Sequence, residues 1–495
     1  MNRWINKKMT KIHPIFLLLL LLIACKSEKP DRWEMALPVI GSNSSPRTMD
    51  LNQDGVKDVI IGAGRNEFQA SKYGVIAING INGDTLWTYP CTDQIYGAAV
   101  FLDISKDGIE DVVMVGRNRQ LFALNGKDGD LIWKYQLQSD EYDKLGLIRF
   151  NFYNPILVDD YSNDGIQDLL VVNGGNVRAA PADSIHRYPG TIMIMDGANG
   201  DIIALDTMPD GKESYLTPTY HDFDGDGIKE IIFGTGGETI TGALYLTDEK
   251  ALLANDISSA TKLLEIDNGH GFIAPPVVTD LNADGTKDII ALDHGGFIAA
   301  FDGQTMEQLW SLKIDNTELN AQASVGNYNK DKIPDIFVNG AEGKWPKNSG
   351  SAQFFIDGGS GEVLAQYNIG CAGFASPISL DVDGDAVEEV ILPINKYDCR
   401  RINTLYTLTW LHLFEVDTAY QLTQTLIAGK NISSTPFIGD LDADERIDLV
   451  YIVNENVRVI YEFLGFRVKR LELDVRMPKE RCWNQYLGPT GNNVY

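Results

Sequence analysis

Short apolar runs rich in β-branched residues recur along the chain, and polar, glycine-rich turns separate them. Such runs are Val59-Ile60-Ile61, Val112-Val113, Ile231-Ile232, Ile289-Ile290 and Val390-Ile391. The pattern has no helical periodicity. Short strands joined by hairpin turns predict an all-β chain.

One polar nonapeptide recurs eight times, at spacings of 47 to 62 residues. Its first, third, fifth and ninth positions carry Asp, Glu, Asn or Ser, and its sixth position is commonly Gly. In chain order, the residues at these four positions are Asp50, Asn52, Asp54 and Asp58; Asp103, Ser105, Asp107 and Asp111; Asp160, Ser162, Asp164 and Asp168; Asp222, Asp224, Asp226 and Glu230; Asp280, Asn282, Asp284 and Asp288; Asn327, Asn329, Asp331 and Asp335; Asp381, Asp383, Asp385 and Glu389; and Asp440, Asp442, Asp444 and Asp448. Such self-similarity indicates a repeat architecture.

Each nonapeptide lies in the same frame of four predicted strands. One strand precedes it, a β-branched strand follows it, and a second hairpin turns at Asn-Gly or Asp-Gly, often with a Trp beyond, as at Gly80 and Trp87. Eight such units predict an eight-bladed β-propeller that closes into a single ring over residues 33–495. Residues 33–37 resemble the outermost strand of other blades, so we expect them to pair with the last blade and hide its edge. We expect residues 483–488 to dock on the ring.

Residues 1–24 have the pattern of a secretory signal peptide, with basic residues first and then an apolar run from Leu17 to Leu22. That run is too short to cross the membrane as a helix. The segment that ends at Cys25 resembles a bacterial lipobox, which implies cleavage before Cys25 and attachment of diacylglycerol to its sulfur. We therefore expect an outer-membrane protein held by a lipid anchor, with residues 25–32 as a tether. Whether its body faces the periplasm or the outside stays open.

The acidic nonapeptide within a hairpin resembles the calcium loops of FG-GAP repeats, which integrin α-subunits carry, and of VCBS repeats. The half of each unit with Asn-Gly and Trp resembles the PQQ-type propeller repeat. The resemblance covers about residues 33–495 and implies a β-propeller. It says little about activity, because propellers carry many functions.

The nonapeptide also has the chemistry of a calcium site. Side-chain oxygens at four positions and a backbone carbonyl near the seventh are ligands that Ca²⁺ prefers, and Gly at the sixth allows a sharp turn. We expect structural Ca²⁺ in the first five loops and in the seventh and eighth, which lack the Gly but keep four carboxylates. The sixth loop begins with Asn327 and has Lys332 in its turn, so we expect low or no occupancy there.

The chain is strongly acidic, with 42 Lys and Arg against 69 Asp and Glu, a formal net charge of -27. Such a charge argues against nucleic-acid binding. The loops predicted on the face opposite the calcium turns are instead basic and aromatic, which suits carboxylates, sulfates and sugar rings. We expect a monomer whose opposite face binds an anionic ligand, a polysaccharide or an envelope protein. The residues expected to bind are Arg178, Arg187, Tyr188, Trp345 and Arg400.

Signs of catalysis are weak. The chain has neither a Ser-His-Asp pattern nor a metalloprotease motif, and it lacks the adjacent cysteines of quinoprotein dehydrogenases. His270 and His294 flank the fifth loop at similar distances and are expected to meet. Binding without catalysis is the favoured function. The open alternatives are a lyase-like polysaccharide enzyme or quinoprotein, and a scaffold for outer-membrane assembly.

Four cysteines follow Cys25. Cys371 and Cys399 lie equally far from residue 385, the middle of the seventh hairpin, so they are expected to face each other across strands. An oxidising compartment permits a disulfide between them. Cys91 and Cys482 would then form a second pair that links the first blade to the tail.

Overall fold

Eight antiparallel sheets follow one another around a ring in the computed structural model. The predicted eight-bladed β-propeller is therefore confirmed. The structure describes residues 32–136, 151–176, 179–180, 183, 185–345, 347–400, 408–422, 427–455, 463–479 and 482–495. The predicted signal peptide, Cys25 and Arg178 lie outside these residues. None of the helices within them is both long enough and apolar enough to cross a membrane.

The first half of the ring begins with β1 (Trp33–Pro38), which belongs to the last blade. Blade 1 consists of β2 (Arg47–Met49), β3 (Asp58–Gly62), β4 (Ser71–Ile78) and β5 (Thr85–Cys91). Blade 2 consists of β6 (Val100–Leu102), β7 (Asp111–Val115), β8 (Leu121–Leu124) and β9 (Leu131–Lys134). Blade 3 consists of β10 (Asn151–Phe152), β11 (Ile156–Val158), β12 (Asp168–Gly174), β13 (Thr191–Met195) and β14 (Ile202–Thr207). Blade 4 consists of β15 (Thr219–His221), β16 (Glu230–Gly234), β17 (Ala243–Asp248), a short helix α1 (Glu249–Leu253) and β18 (Thr261–Glu265).

The second half continues in the same order. Blade 5 consists of β19 (Val277–Thr279), β20 (Asp288–Asp293), β21 (Phe297–Phe301) and β22 (Gln308–Lys313). Blade 6 consists of β23 (Thr317–Glu318), β24 (Ser324–Gly326), β25 (Asp335–Glu342), β26 (Gly350–Ile356) and β27 (Val363–Tyr367). Blade 7 consists of β28 (Ile378–Leu380), β29 (Glu389–Lys396), β30 (Leu408–Phe414), β31 (Ala419–Gln421) and β32 (Ile427–Ala428). Blade 8 consists of β33 (Phe437–Gly439), β34 (Arg446–Asn454), β35 (Gly465–Arg476) and β1.

The hydrophobic core lies between neighbouring blades. The β-branched runs become second strands such as β3, in which every residue is buried. One cluster joins Ile61 and Ile76 of blade 1 to Val450 and Phe466 of blade 8. Burial of each such side chain contributes about 1.5–3 kcal/mol, so apolar packing between blades stabilises the ring.

The two ends of the propeller meet within blade 8. Strand β1 pairs antiparallel with β35 from Trp33 opposite Arg470 to Pro38 opposite Gly465. The pairing predicted for residues 33–37 is confirmed. It removes the open edge that β35 would otherwise expose.

A tryptophan contact links several consecutive blades. The indole nitrogen of Trp87 in blade 1 donates to the carbonyl oxygen of Gly126 in the turn of blade 2, at 2.8 Å. The equivalent contacts are Trp33 to Gly80, Trp133 to Gly197 and Trp310 to Gly358. The second glycine of each turn packs under the indole; at Gly129, φ is +78° and a Cβ would lie 2.7 Å from Trp87. This contact explains why the Gly-x-x-Gly turn and the Trp recur together.

The C-terminal tail, residues 482–495, fills the centre of the ring. Trp483 is fully buried and its carbonyl accepts from the backbone of Ser379 in blade 7. Asn493 donates to the carbonyl of Pro218 before blade 4 and accepts from Gln322 before blade 6. The predicted docking of residues 483–488 on the ring is confirmed. The tail therefore ties together blades that are far apart in sequence.

Candidate functional site

The eight nonapeptide loops join the first and second strands of their blades and define one face of the ring, the loop face. Backbone donors hold each loop in shape. The carboxylate of Asp50 accepts from the backbone nitrogens of Asp54 at 3.2 Å and Gly55 at 3.0 Å, and Asp54 accepts from Val56 at 2.9 Å. Similar contacts recur in most copies. The first and fifth carboxylates are thus held close together by the backbone itself.

The sixth position of the motif requires a left-handed backbone. Gly55 has φ +89°, and Ala386 and Glu445, which replace Gly in the seventh and eighth loops, both have φ 66°. The sixth loop differs, because Lys332 is not left-handed. A non-glycine residue in this conformation costs about 1–2 kcal/mol.

The ninth position has a structural role that the sequence did not suggest. The Asp58 carboxylate accepts from the backbone nitrogens of Leu51 and Gly80, both at 3.0 Å, and so ties the nonapeptide loop to the second hairpin of the blade. Burial raises the pKa of Asp58 to about 6 and that of Asp335 to about 7. Each oxygen of these carboxylates keeps a second lone pair that can face a cation.

Three loops gather three carboxylates with oxygens within 4.8 Å of one another. These groups are Asp222, Asp224 and Glu230; Asp381, Asp383 and Asp385; and Asp440, Asp442 and Asp448. In the seventh loop, burial and the charges of Asp385 and Asp381 raise the pKa of Asp383. In the fifth loop, Asp280 Oδ1 is buried without a hydrogen-bond partner among the described residues. All-oxygen donor sets of this kind fit Ca²⁺.

The sixth loop keeps two carboxylates, because Asn327 and Asn329 take the first and third positions. The side-chain amide of Asn329 donates to Asp331 and Asp357, both at 2.9 Å, much as Asn52 donates to Asp54 in the first loop and Asn282 to Asp302 in the fifth. Lys330 extends its ammonium to Asp385 of the seventh loop at 3.1 Å. The expectation of low occupancy stays a prediction.

The eighth loop contains a cation of its own. The guanidinium of Arg470 on β35 lies 2.8 Å from Asp442 Oδ2 and 2.7 Å from Asp448 Oδ2, and its Nε donates to Asp448 Oδ1 at 2.8 Å. Arg470 is 1% exposed. The sequence analysis missed it. The signal was available, since Arg470 stands where Ala77, Ala123 and Ala300 face a tryptophan in other blades.

The opposite face of the ring has a central cavity of about 290 Å³, which we call the funnel. Its wall includes Gln94, Tyr96, Tyr153, Tyr215 and Glu238, and Tyr486 of the tail also lines it. A larger groove of about 660 Å³ lies on the loop face, between the sixth and seventh loops and the end of β35. The funnel has the stronger claim as a site because it collects aromatic and ionisable side chains from several blades.

Three tyrosines form a row along the funnel wall. The ring centroid of Tyr153 lies 5.8 Å from that of Tyr96 and 5.6 Å from that of Tyr215. Gln94 beside them is 1% exposed, and its side-chain nitrogen has no hydrogen-bond partner among the described residues. The sequence analysis did not identify this row. Its signal is a Tyr three or four residues before β6, β11 and β15.

The two arginines beside the tyrosine row are already paired with acids. Arg117 lies 2.6 Å from Glu67, and Arg187, which also donates to the hydroxyl of Tyr215, lies 2.9 Å from Glu213. Glu238 adds a further acid, and burial together with the charge of Glu318 raises its pKa. The anionic, polysaccharide or protein ligand expected from the sequence stays a prediction.

The residues predicted to bind ligand do not form one site. Arg187 and Tyr188 lie before β13 in blade 3, whereas Trp345 and Arg400 lie in blades 6 and 7. Trp345 is 44% exposed and lines a small cleft with Tyr397 and Lys430. The cleft shares Phe374 and Ile432 with the funnel but includes none of the three tyrosines of the row.

His270 and His294 lie together, with ring centroids 5.0 Å apart, as the sequence predicted. Burial lowers the pKa of His294 to about 4, so this imidazole is neutral at physiological pH. Its Nε2 is 3.9 Å from Glu318 Oε1. The two histidines lie at the face opposite the loops and do not form a catalytic triad.

The structure joins Cys371 and Cys399 in a disulfide, with Cα atoms 5.3 Å apart. The second predicted pair is wrong, because Cys91 and Cys482 are both buried free cysteines. Cys91 ends β5 at the opposite face, whereas Cys482 lines the groove on the loop face. They lie on different sides of the ring and cannot meet.

Comparison with solved structures shows a shared fold at low identity. The quinohemoprotein alcohol dehydrogenase ADHIIG from Pseudomonas putida HK5 is 10% identical over 91% of this chain and 77% of its own, with a TM-score of 0.56. A europium-containing methanol dehydrogenase is 10% identical over 89% and 92%, with a TM-score of 0.55. The exotype rhamnogalacturonan lyase YesX is 13% identical over 88% and 75%, with a TM-score of 0.51. These likenesses concern the fold alone.

Sequence comparison is more specific. No curated protein is similar enough in sequence to count as a match. The family model of the FAM234A/B beta-propeller matches residues 48–383, which is more than half of the chain. The eight-bladed ring agrees with this match. The chain belongs to the FAM234A/B beta-propeller family.

Proposed function

We propose that the chain is a calcium-stabilised, lipid-anchored binding protein of the cell envelope, and that the funnel holds its ligand. The observation that carries this proposal is Gln94, a fully enclosed side chain on the funnel wall whose amide nitrogen has no partner among the described residues. A buried polar group without a partner costs about 1–3 kcal/mol. A ligand that accepts a hydrogen bond from Gln94 would recover this free energy.

The funnel best fits a neutral or amino-bearing sugar. The rings of Tyr96, Tyr153 and Tyr215 offer apolar surface to the C–H face of a sugar, while Gln94 offers a hydrogen-bond donor. The hydroxyls of Tyr96 and Tyr215 already donate within the protein, to the carbonyl of Phe152 and to Glu213. The acids of the funnel would repel a carboxylate or sulfate on the ligand. A saccharide without acidic groups is therefore the proposed ligand class.

The proposed anchor would leave the funnel open. Arg32 lies against Asp442 and Asp444 of the eighth loop, at 3.3 and 3.4 Å, so the chain enters the ring at the loop face. Seven residues separate Arg32 from Cys25, a reach of at most about 25 Å. A lipid on Cys25 would hold the loop face toward the membrane and turn the funnel away from it.

Calcium is proposed as a structural ion of the loop face, without a role in ligand binding. Its ligands would be the first, third, fifth and ninth side chains of each occupied loop. Bound Ca²⁺ would neutralise carboxylates that the fold holds close together, such as Asp381, Asp383 and Asp385. The ion would thus stabilise blades whose other face forms the funnel.

Titration of the purified chain with neutral, amino-bearing and acidic oligosaccharides tests the binding proposal. We expect saccharides without acidic groups to bind, and Gln94→Ala and Tyr153→Ala each to weaken binding about tenfold or more. Trp345→Ala is the matched control and should leave the affinity unchanged, because Trp345 lies outside the tyrosine row. Loss of binding in the control alone, or selective binding of acidic saccharides, would contradict the proposal.

A lyase-like enzyme on the same fold is the second candidate. The observation in its favour is Glu238, whose raised pKa at the funnel suits a proton-transferring group. Elimination from a uronide would create a conjugated double bond, so a new ultraviolet absorbance of the product is the readout. Turnover that Glu238→Gln abolishes, with the fold intact, would favour the enzyme.

A further inference from the structure

The eighth loop differs from its counterparts in the partner of its ninth residue. In five loops, the second oxygen of the ninth Asp accepts from a glycine nitrogen in the neighbouring turn. These glycines are Gly80, Gly126, Gly197, Gly303 and Gly358. Blade 8 has β1 as its outer strand and so lacks a turn at this place. There the guanidinium of Arg470 contacts both oxygens of Asp448.

Arg470 also reaches the third position of the motif. One nitrogen, Nη2, lies 2.8 Å from Asp442 and 2.7 Å from Asp448. A Ca²⁺ ion in this loop would need oxygens from both residues. A guanidinium keeps its charge at all physiological pH values, so it cannot give up the position by losing a proton.

The remaining nitrogen of Arg470 joins two blades. Nη1 donates to the carbonyl oxygen of Gly80 in blade 1 at 2.7 Å, and Trp33 on β1 donates to the same oxygen at 2.7 Å. Arg470 and Trp33 are opposite each other in the pairing of β1 with β35. The guanidinium therefore links the eighth loop, blade 1 and the pairing of β1 with β35, which we call the seam.

We propose that Arg470 is the resident cation of the eighth loop, so that this loop binds no Ca²⁺ and the ring closes without it. This inference replaces the sequence-based expectation of calcium in the eighth loop. The part that compares calcium binding among loops rests on the proposed calcium role of the other loops. Arg32 adds a second guanidinium beside Asp442 and Glu472. At the seam, the two ends of the ring are joined by strand pairing and not by a connecting loop. Its cation, Arg470, is part of the chain and so cannot dissociate.

Counting bound Ca²⁺ per chain at saturation tests the claim that the eighth loop binds no Ca²⁺. Asp383→Asn in the seventh loop should remove about one ion, whereas Asp442→Asn at the equivalent position of the eighth loop should remove none. Arg470→Gln should gain about one ion, and Arg470→Lys should gain none. Loss of an ion in Asp442→Asn would overturn the proposal.

Amide exchange at the seam tests the claim that the ring closes without Ca²⁺ in the eighth loop, and the measurement needs no bound calcium. In EDTA, the amides of residues 33–37 should stay protected in the wild-type chain and lose protection at least about tenfold in Arg470→Gln, because the seam then lacks its cation. Wild-type amides that lose protection in EDTA would overturn the proposal. A chain that binds no Ca²⁺ in any loop yet keeps this protection would refute the calcium role alone.

Discussion

The indole nitrogen of Trp87 lies 2.8 Å from the carbonyl oxygen of Gly126, in the turn of the next blade. The contact is buried and recurs at three other blade junctions. It makes the turns at Gly80, Gly126, Gly197 and Gly358 dependent on the blade before them. The ring is therefore stabilised by repeated junctions as well as by its apolar core.

Replacing Trp87 by Phe keeps most of the apolar surface but removes the donor. The carbonyl of Gly126 then stays buried without its partner, so we predict a loss of about 1–3 kcal/mol in the free energy of unfolding. Urea titration followed by circular dichroism measures the change. Trp345→Phe, at an exposed indole, should change stability by less than about 0.5 kcal/mol. Equal effects of the two substitutions would show that the junction contact is unimportant.

The ninth acids predict how stability depends on pH when calcium is absent. Burial raises the pKa of Asp58 to about 6, that of Asp335 to about 7 and that of Glu389 to about 8. The folded chain therefore keeps protons that the unfolded chain releases near pH 4, and its stability falls as pH rises from about 4 to about 8. Urea unfolding in EDTA should give a lower free energy at about pH 8 than at about pH 5. A higher value at pH 8 would contradict the burial of these acids.

At the sixth position of the motif, Ala386 and Glu445 hold a left-handed backbone without glycine, and Ala386 is the simpler of the two. Ala386→Gly should relieve this strain and raise the free energy of unfolding by up to about 1 kcal/mol. Gly55→Ala makes the reverse change in the first loop, where φ is +89° and a Cβ would meet no atom within 4 Å. It should cost about 1–2 kcal/mol from the backbone alone. Changes of the same sign in the two variants would refute the assigned backbone role.

The disulfide between Cys371 and Cys399 closes a segment with a sequence separation of 28. Cys371→Ser should lower the free energy of unfolding by about 2–4 kcal/mol under oxidising conditions. Under reducing conditions, the variant and the wild-type chain should differ much less. Thiol titration in denaturant should find Cys91 and Cys482 reactive before reduction; if it instead finds them blocked, the cysteine assignment fails.

The sequence predicted those features that each repeat encodes locally. The nonapeptide and the Gly-x-x-Gly turn with its Trp sit within one or two adjacent blades, so eight copies were enough to predict the ring, its loops and the strand at residues 33–37. Arg470 and the tyrosine row could not be found in this way. They depart from the repeat, and some of their partners lie in other blades, such as Gly80 for Arg470, so only the closed ring shows what they contact.

The cysteines show the same limit. Cys371 and Cys399 flank one hairpin, so sequence distance was enough to pair them. Cys91 and Cys482 were paired by elimination, and the ring places them on opposite sides. The acidic partners of Arg117 and Arg187 likewise became visible only in the structure, because Glu67 and Glu213 lie in other loops.

The measurement that tests the central claim most directly is the melting temperature of the purified chain in EDTA and in saturating Ca²⁺, with Mg²⁺ as the control ion. At about one hundred times its dissociation constant, each occupied loop adds about 2.7 kcal/mol, so several loops should raise the melting temperature well above its value in EDTA. Mg²⁺ should have a smaller effect, since it demands a tighter octahedral site. A melting temperature that Ca²⁺ leaves unchanged would contradict the claim that these loops hold calcium and stabilise the ring.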